Sequence, residues 1–153
     1  CALAFACDLA VVHPTASFGL TFTRIGLMPD GGTTATVAAS IGRARAMRMG
    51  LLGERLSAQE AYETGLVSHT STEESYDEVV ADLLDRLAGG APLALAATKK
   101  AISGATLPHL EQALEIELRG QRMLATTADV IEGVTAFLGH RPAVFTGDWA
   151  RCT

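Results

Sequence analysis

The sequence of 153 residues contains little cysteine and little proline. Its three cysteines are an odd number without Cys-x-x-Cys or Cys/His spacing, so neither a disulfide framework nor a zinc site is predicted. Five prolines and fifteen glycines exclude collagen-like and low-complexity architectures. No run approaches the roughly 20 consecutive apolar residues that a membrane span needs, and we therefore expect a soluble protein without a membrane partner. The sparse cysteines favour a reducing compartment and predict a cytoplasmic location.

Basic residues and the common enzyme motifs are also scarce. Twelve Lys and Arg against seventeen Asp and Glu give a formal net charge of −5, so nucleic acid would be repelled on average. The chain has no Gly-x-Ser-x-Gly nucleophile elbow, no phosphate-binding loop, no dinucleotide-binding glycine fingerprint and no His-Glu-x-x-His motif. These absences count against the usual hydrolases, nucleotide-binding proteins and zinc enzymes. We expect no nucleic-acid partner, no metal and no redox cofactor.

The first residues do not resemble a secretion signal. Residues 1–8 contain no initiator Met, no basic segment ahead of an apolar one and no small-residue cleavage site. We therefore expect the sequence to be the downstream part of a longer chain.

The first half alternates predicted helices and strands. Residues 1–7 suit a helix, and the short apolar run at 9–12 has the length of a buried strand. Leu-Val-Ser-His-Thr at 66–70 is typical of a short strand. Two helices are predicted at 33–41 and 43–52, each followed by a glycine. A further helix begins at the capping box Ser57-Ala-Gln-Glu60 and ends before Gly65. This alternation predicts a parallel, layered α/β core.

From residue 74 onward, the hydrophobic period is helical. Apolar side chains three or four apart over 76–87 predict an amphipathic helix. Pro92 and Pro108 are placed as the first residues of two more helices, and a last helix is predicted at 129–138. The helix after Pro108 carries three leucines on one predicted face: Leu110, Leu114 and Leu118.

Several segments together carry a family resemblance. The most informative is 25–33, Ile-Gly-Leu-Met-Pro-Asp-Gly-Gly-Thr. With it, the chain resembles the crotonase, or enoyl-CoA hydratase/isomerase, superfamily over essentially all of its length. The other matching segments are Cys7-Asp8-Leu9-Ala10, Ala16-Ser17-Phe18-Gly19, Gly42-Arg43-Ala44, Ser57-Ala58-Gln59-Glu60-Ala61, Gly65-Leu66-Val67, 132–138, Arg141-Pro142 and Phe145.

The resemblance implies a fold and a class of substrate. It implies an α/β fold in which a spiral of ββα turns, here residues 1–90, precedes an all-α region, here 91–153, through which chains form trimers or hexamers. It also implies an acyl-CoA thioester as substrate, with coenzyme A as part of the substrate and no separate cofactor. The shared chemistry is a thioester enolate held by two backbone N–H donors, both expected upstream of Cys1.

The acid/base residue separates the reactions within this family. Hydratases use two glutamates to hold and activate water, and the matching positions here are Ala2 and Phe22, neither of which accepts a proton. Some isomerases instead place a carboxylate in a Gly-Leu-x-Pro-Asp/Glu-Gly-Gly turn, and Asp30 occupies that position. We therefore expect an isomerase that shifts a double bond, with Asp30 as acid/base. Phe22, Leu27 and Met28 are expected to line the substrate pocket and exclude water.

Alternatives to this hypothesis stay open at the level of sequence. Asp30 also has the position of an N-cap, whose carboxylate accepts backbone N–H groups, and the two roles need not exclude each other. A hydratase-type activity carried by other residues is one functional alternative. A catalytically silent homologue that still binds CoA is another.

The remaining polar candidates have weaker support. Arg141 and Phe145 resemble residues that contact the nucleotide end of CoA on a neighbouring subunit, although aromatic packing would equally explain Phe145. Lys99 and Lys100 are interpreted as a solvated patch, with a CoA phosphate as the alternative. Asp8 is expected to begin a strand and to bond locally. Structural roles are expected for Cys1 and Cys7, both in the core, and for His13, His69, His109 and His140.

Overall fold

The computed structural model describes residues 1–150, and Cys152 lies outside that range. The upstream part alternates short strands with helices, and the downstream part is helical from Tyr76 to Leu138. A short 3₁₀ helix, Thr21–Ile25, precedes α2. The helices are α1 Ala2–Ala6, α2 Thr33–Ile41, α3 Arg43–Leu52, α4 Ala58–Glu63, α5 Tyr76–Ala88, α6 Pro92–Thr106, α7 Leu110–Leu124 and α8 Ala128–Leu138; the strands are β1 Val11–Val12, β2 Ser17–Gly19, β3 Arg55–Ser57 and β4 His69–Thr70.

Two strand pairs connect distant parts of the first half. β1 and β4 pair in parallel with Val11 opposite His69, and β2 and β3 pair antiparallel with Phe18 opposite Leu56. The parallel pair agrees with the predicted core, although both of its strands are shorter than the predicted segments 9–12 and 66–70. The antiparallel pair was not predicted, because its strands, Ser-Phe-Gly and Arg-Leu-Ser, each contain a single large apolar residue and no apolar run.

The main core cluster is built from residues 12–67. Val37 and Ile41 lie one turn apart on α2 and face Met49 of α3, and all three are buried. Phe22 of the 3₁₀ helix is half-buried and packs against this cluster. The other buried members are Val12, Leu20, Ala58, Ala61, Leu66 and Val67.

Several helix ends are specified by residues next to them in the sequence, and at these ends the predicted helix bounds are confirmed. α2 and α3 have the predicted bounds and meet at Gly42, whose φ of 79° suits glycine. In the capping box, the Ser57 Oγ accepts the Glu60 N–H at 3.2 Å, and Glu60 Oε2 accepts the Ser57 N–H at 2.8 Å. Pro92 begins α6 as predicted.

One prediction about α7 is wrong. Pro108 does not begin this helix: the N-cap is His109, and the chain turns through the Leu110 N–H to Leu107 carbonyl bond of 3.2 Å. α6 ends only at Thr106, so the residues after it are needed to reverse the chain. Leu110, Leu114 and Leu118 share one face of α7 as predicted, but Leu114 is 42% and Leu118 51% exposed. The residues of α7 that point inward are described below.

Corrections also apply to the first eight residues. Cys1 and Cys7 are exposed rather than in the core, because they flank α1 and it is Phe5, within this helix, that packs against the core. Asp8 neither begins a strand nor bonds locally. Its Oδ2 lies 2.6 Å from Lys99 Nζ on α6. The Lys99 side chain is still 64% exposed, so its interpretation as part of a solvated patch is confirmed.

The chain after α8 is held to that helix by two acidic side chains. Asp129 accepts the N–H groups of Thr146 and Gly147 at 2.8 and 3.0 Å. Glu132, one turn further, accepts the Val144 N–H at 2.9 Å and pairs with Arg141. Residues 140–150 are therefore held against α8, although this stretch contains no helix and only one isolated bridge, Thr127–Trp149.

Large apolar side chains remain exposed on the helical region, for example Leu93 at 86% and Phe137 at 70%. None of the helices within residues 1–150 combines the length and apolar character needed to cross a bilayer. The division of the chain at residue 90 stays a prediction.

Candidate active site

The turn that carries Asp30 is shaped by glycines. Gly26 ends the 3₁₀ helix with φ 74°, and Gly31 and Gly32 follow Asp30 with φ 65° and 80°. These left-handed values are unfavourable for residues with a Cβ, so the Pro-Asp-Gly-Gly pattern produces the turn directly. The Asp30 carbonyl then accepts the Thr33 N–H at 3.2 Å and leads the chain into α2.

The Asp30 carboxylate is held by a side chain from α7. Gln121 Nε2 donates to Asp30 Oδ2 at 2.8 Å and to the Met28 carbonyl at 2.9 Å. Asp30 is half-buried. It is not the N-cap of α2, because the capping position belongs to Gly32 and the carboxylate that meets the helix N-terminus comes from elsewhere.

That carboxylate is Glu117, which is 1% exposed. It accepts the Gly32 N–H at 2.7 Å, the Thr34 N–H at 3.0 Å and the Thr34 hydroxyl at 2.5 Å. The backbone donors belong to the start of α2, where the helix dipole also favours a negative charge. A buried carboxylate is tolerated here because several donors compensate its lost hydration.

One face of α7 thus contacts the whole turn. A Cβ built on Gly32 would lie 3.3 Å from the side chain of Leu110 and 3.7 Å from that of Leu114. A Cβ built on Gly120 would overlap the Met28 sulfur. The inward face of α7 therefore includes Leu110, Glu117 and Gln121, and the hydrophobic pattern gives no sign of the two polar residues.

The other predicted pocket residues lie around this turn or just before it. Ala2 reaches it, because a Cβ on Gly31 would lie 2.7 Å from the Ala2 Cβ. Leu27 is half-buried, and its N–H bonds to the Phe22 carbonyl at 3.1 Å. Leu27 and Met28 precede Asp30 directly, whereas the Phe22 side chain contacts the core. Their role as a substrate-pocket lining stays a prediction.

Arg141 is engaged with Glu132. Its two terminal nitrogens donate to the two Glu132 oxygens at 2.6 and 2.7 Å. This pairing and the Val144 N–H lower the pKa of Glu132 to about 2, and the same pairing raises the pKa of Arg141. Phe145 is 43% exposed nearby. The predicted contacts of Arg141 and Phe145 with CoA stay predictions, and Arg141 would have to share its guanidinium with Glu132.

Lys100 and His109 line a cleft of about 880 Å³ formed by α6, the following turn and the start of α7. His13 and His69 bond to the hydroxyls of Thr15 and Ser68. Among residues 1–150, no group of three His, Cys, Asp or Glu side chains is arranged to hold a metal ion.

Comparison with known proteins places this geometry in a family. The sequence profile of the family described as Enoyl-CoA hydratase/isomerase matches residues 1–148. Over 145 residues, the chain is 40% identical to the probable enoyl-CoA hydratase of Rhodobacter capsulatus and 37% identical to the 1,2-epoxyphenylacetyl-CoA isomerase of Escherichia coli. Each alignment covers 95% of this chain, but only 56% and 55% of the respective relative.

A solved structure gives the same result. The crystal structure of an enoyl-CoA hydratase from Mycobacterium avium subsp. paratuberculosis K-10 matches with a TM-score of 0.92 and 46% identity, over 95% of this chain and 59% of that one. The chain therefore spans between half and three fifths of the length of these proteins. The α/β fold implied by the resemblance is confirmed, and the chain belongs to the enoyl-CoA hydratase/isomerase family.

Proposed function

We propose that the protein containing this chain is an isomerase that shifts a double bond in an acyl-CoA thioester, with Asp30 as acid/base. The observation that carries the proposal is the Asp30 carboxylate, fixed by Gln121 at 2.8 Å. Ala2, at a position where hydratases carry a glutamate, lies against the same turn. The turn therefore offers a carboxylate from Asp30, but none from Ala2.

One carboxylate can perform the whole reaction. Asp30 Oδ2 accepts the Gln121 bond, while Oδ1 accepts no hydrogen bond from residues 1–150 and is available to a substrate. Oδ1 removes a proton from C2 of a 3-enoyl thioester, and the electron pair of that C–H bond moves onto the carbonyl as an enolate. When the enolate collapses, the double bond forms between C2 and C3, and C4 takes the proton from Asp30. Preorganised N–H donors expected upstream of this chain would hold the enolate oxygen.

Hydration is the first alternative, because the relatives carry both kinds of name. Water addition needs side chains that hold and deprotonate water. Ala2 and Phe22 provide neither function, and Phe22 packs against the core. A hydratase would therefore have to use Asp30 or residues upstream of this chain.

The test uses the full-length protein with 3-enoyl-CoA and 2-enoyl-CoA as separate substrates. Asp30→Asn keeps the size of the side chain, and we expect it to lower kcat for isomerisation by about 10²–10⁴-fold. The matched control is Asp85→Asn on the exposed part of α5, which should leave kcat unchanged. Unchanged isomerisation in Asp30→Asn would remove Asp30 from the mechanism. Water addition to 2-enoyl-CoA by the wild type would favour the hydratase alternative, and CoA binding without either reaction would indicate a silent homologue.

We also propose that the full-length protein forms trimers or hexamers in the cytoplasm. Exposed apolar side chains support an assembly, among them Leu93 on α6 and Phe137 on α8. In such an assembly, Arg141 and Phe145 would contact the nucleotide end of CoA on a neighbouring subunit. Light scattering that finds a monomer of the full-length protein would contradict the proposed assembly.

A further inference from the structure

We propose that Gln121 is a positioning residue for Asp30, an inference that rests on the function proposed above. Gln121 lies on α7, 91 residues along the chain from Asp30. Its Nε2 donates to Asp30 Oδ2 at 2.8 Å and to the Met28 carbonyl at 2.9 Å. A single amide nitrogen therefore connects the side chain of Asp30 to the backbone two residues before it.

The orientation of the Gln121 amide follows from its two acceptors. If the amide rotated by half a turn, Oε1 would face the Met28 carbonyl and the Asp30 carboxylate, and both hydrogen bonds would be lost. In the orientation found, Oε1 is buried and has no hydrogen-bond partner among residues 1–150. An acceptor without a donor is unfavourable, so the two bonds donated by Nε2 determine the orientation.

Neighbouring contacts fix α7 itself against the turn. Glu117, one turn before Gln121, accepts the N–H groups of Gly32 and Thr34. Gly120 brings the helix backbone close to the side chain of Met28. Gln121 therefore lies on a helix that contacts the turn around Asp30 at several points, and these contacts fix the position of its backbone.

Fixing Oδ2 also orients the other oxygen of the carboxylate. The χ2 torsion of aspartate is broad, and without a partner the carboxylate plane would rotate. A hydrogen bond to Oδ2 limits this rotation and leaves Oδ1 in one direction for the substrate. Proton transfer is sensitive to such placement, and a displacement of about 1 Å can cost on the order of 100-fold in rate.

The experiment compares Gln121→Leu with Gln112→Leu in the full-length protein. Gln112 is exposed on the same helix, so the control removes the same amide away from Asp30. We expect Gln121→Leu to lower kcat for isomerisation by about 10–100-fold and to leave KM within about twofold. A purely structural role would lower the yield of folded protein, while kcat per folded enzyme would keep its wild-type value.

Asp30→Asn separates the two hypotheses. If Asp30→Asn abolishes isomerisation and Gln121→Leu keeps the wild-type kcat and KM, the positioning role is wrong and the proposed function stands. If Asp30→Asn retains isomerisation, the proposed function is wrong, and crystal structures of the wild type and Gln121→Leu test the positioning role alone. A displaced Asp30 carboxylate in the variant supports it, and an unchanged carboxylate overturns it. If Gln121→Leu does not fold, Gln121→Asn replaces it, because that side chain keeps the amide but is too short to reach both acceptors.

Discussion

Glu117 and Gly32 are joined by a hydrogen bond of 2.7 Å although 85 residues separate them in sequence. The Glu117 carboxylate supplies the start of α2 with an acceptor that the local sequence lacks, because the N-cap is Gly32 itself. The same carboxylate accepts two bonds from Thr34. A residue of the helical region therefore completes the N-terminus of a core helix.

Replacing Glu117 by Leu should destabilise the protein by about 1–3 kcal/mol or more, because the buried Gly32 N–H loses its acceptor. The free energy of unfolding of the full-length protein in urea measures this loss. Glu115→Leu is the control, since Glu115 is on the same helix with its side chain 75% exposed, and it should change stability by less than about 0.5 kcal/mol. Equal effects of the two substitutions would contradict the capping role of Glu117.

Gly133 should not tolerate alanine, because a Cβ there would lie 2.5–2.7 Å from the backbone of Ile25. We expect Gly133→Ala to cost about 1–3 kcal/mol, since α8 would have to move away from the 3₁₀ helix. Gly104 in α6 offers a matched control with nothing within 4 Å of its built Cβ. Gly104→Ala should be stabilising by about 0.5–1 kcal/mol. Thermal unfolding should show a lower Tm for Gly133→Ala and a higher Tm for Gly104→Ala than for the wild type.

Gly120 and Met28 should be energetically coupled, because a Cβ on Gly120 would overlap the Met28 side chain. Gly120→Ala alone is expected to cost about 1–3 kcal/mol. In a Met28→Ala background, the same Gly120→Ala substitution should cost less, since the shorter side chain leaves room for the new methyl group. A double-mutant cycle in urea measures the coupling, and additivity within about 0.5 kcal/mol would show that the two residues do not interact.

The Glu132–Arg141 pair should make stability depend on pH in the acid range. The pKa of Glu132 is lowered from 4.5 to about 2, mainly by the hydrogen bonds from Arg141 and then by the Val144 N–H. A carboxyl whose pKa is lower in the folded state stabilises the protein fully above pH 4.5, and this contribution is lost as the pH falls toward 2. The difference in Tm between wild type and Glu132→Gln should therefore be constant near neutral pH and shrink below pH 4.5.

The control for this pH series is Glu111→Gln, a change of an exposed residue on α7. Its Tm difference from the wild type should remain small throughout. A Glu132→Gln difference that stays constant down to pH 2 would contradict the assigned role of the pair.

Features that depend on a few neighbouring residues could be predicted from the sequence. The Ser57–Glu60 box, the glycine between α2 and α3 and the Pro at the start of α6 each determine a helix end through contacts within one turn. The Pro-Asp-Gly-Gly turn is of the same kind, whereas Asp30 became a catalytic candidate through the family resemblance that this turn carries.

Long-range contacts could not be predicted in this way. Pro108 carries the same local signal as Pro92, but α6 extends too far for a helix to begin there. Leu118 fits the hydrophobic period, yet α7 turns Glu117 and Gln121 inward because their partners lie on the turn around Asp30. The Asp8–Lys99 pair and the exposed Cys1 and Cys7 likewise depend on how α1 and α6 are placed, which no local pattern describes.

The polar residues in the inward face of α7 also specify how far this helix is inserted. A stripe of leucines packs almost as well after sliding by one turn, about 5.4 Å, because dispersion contacts have little directionality. The carboxylate of Glu117 and the amide of Gln121 find their partners at a single axial position. If α7 shifted by one turn, Glu117 and Gln121 would lose their partners and lie unpaired against apolar side chains. These two residues therefore select one axial position of α7 among several of similar packing energy.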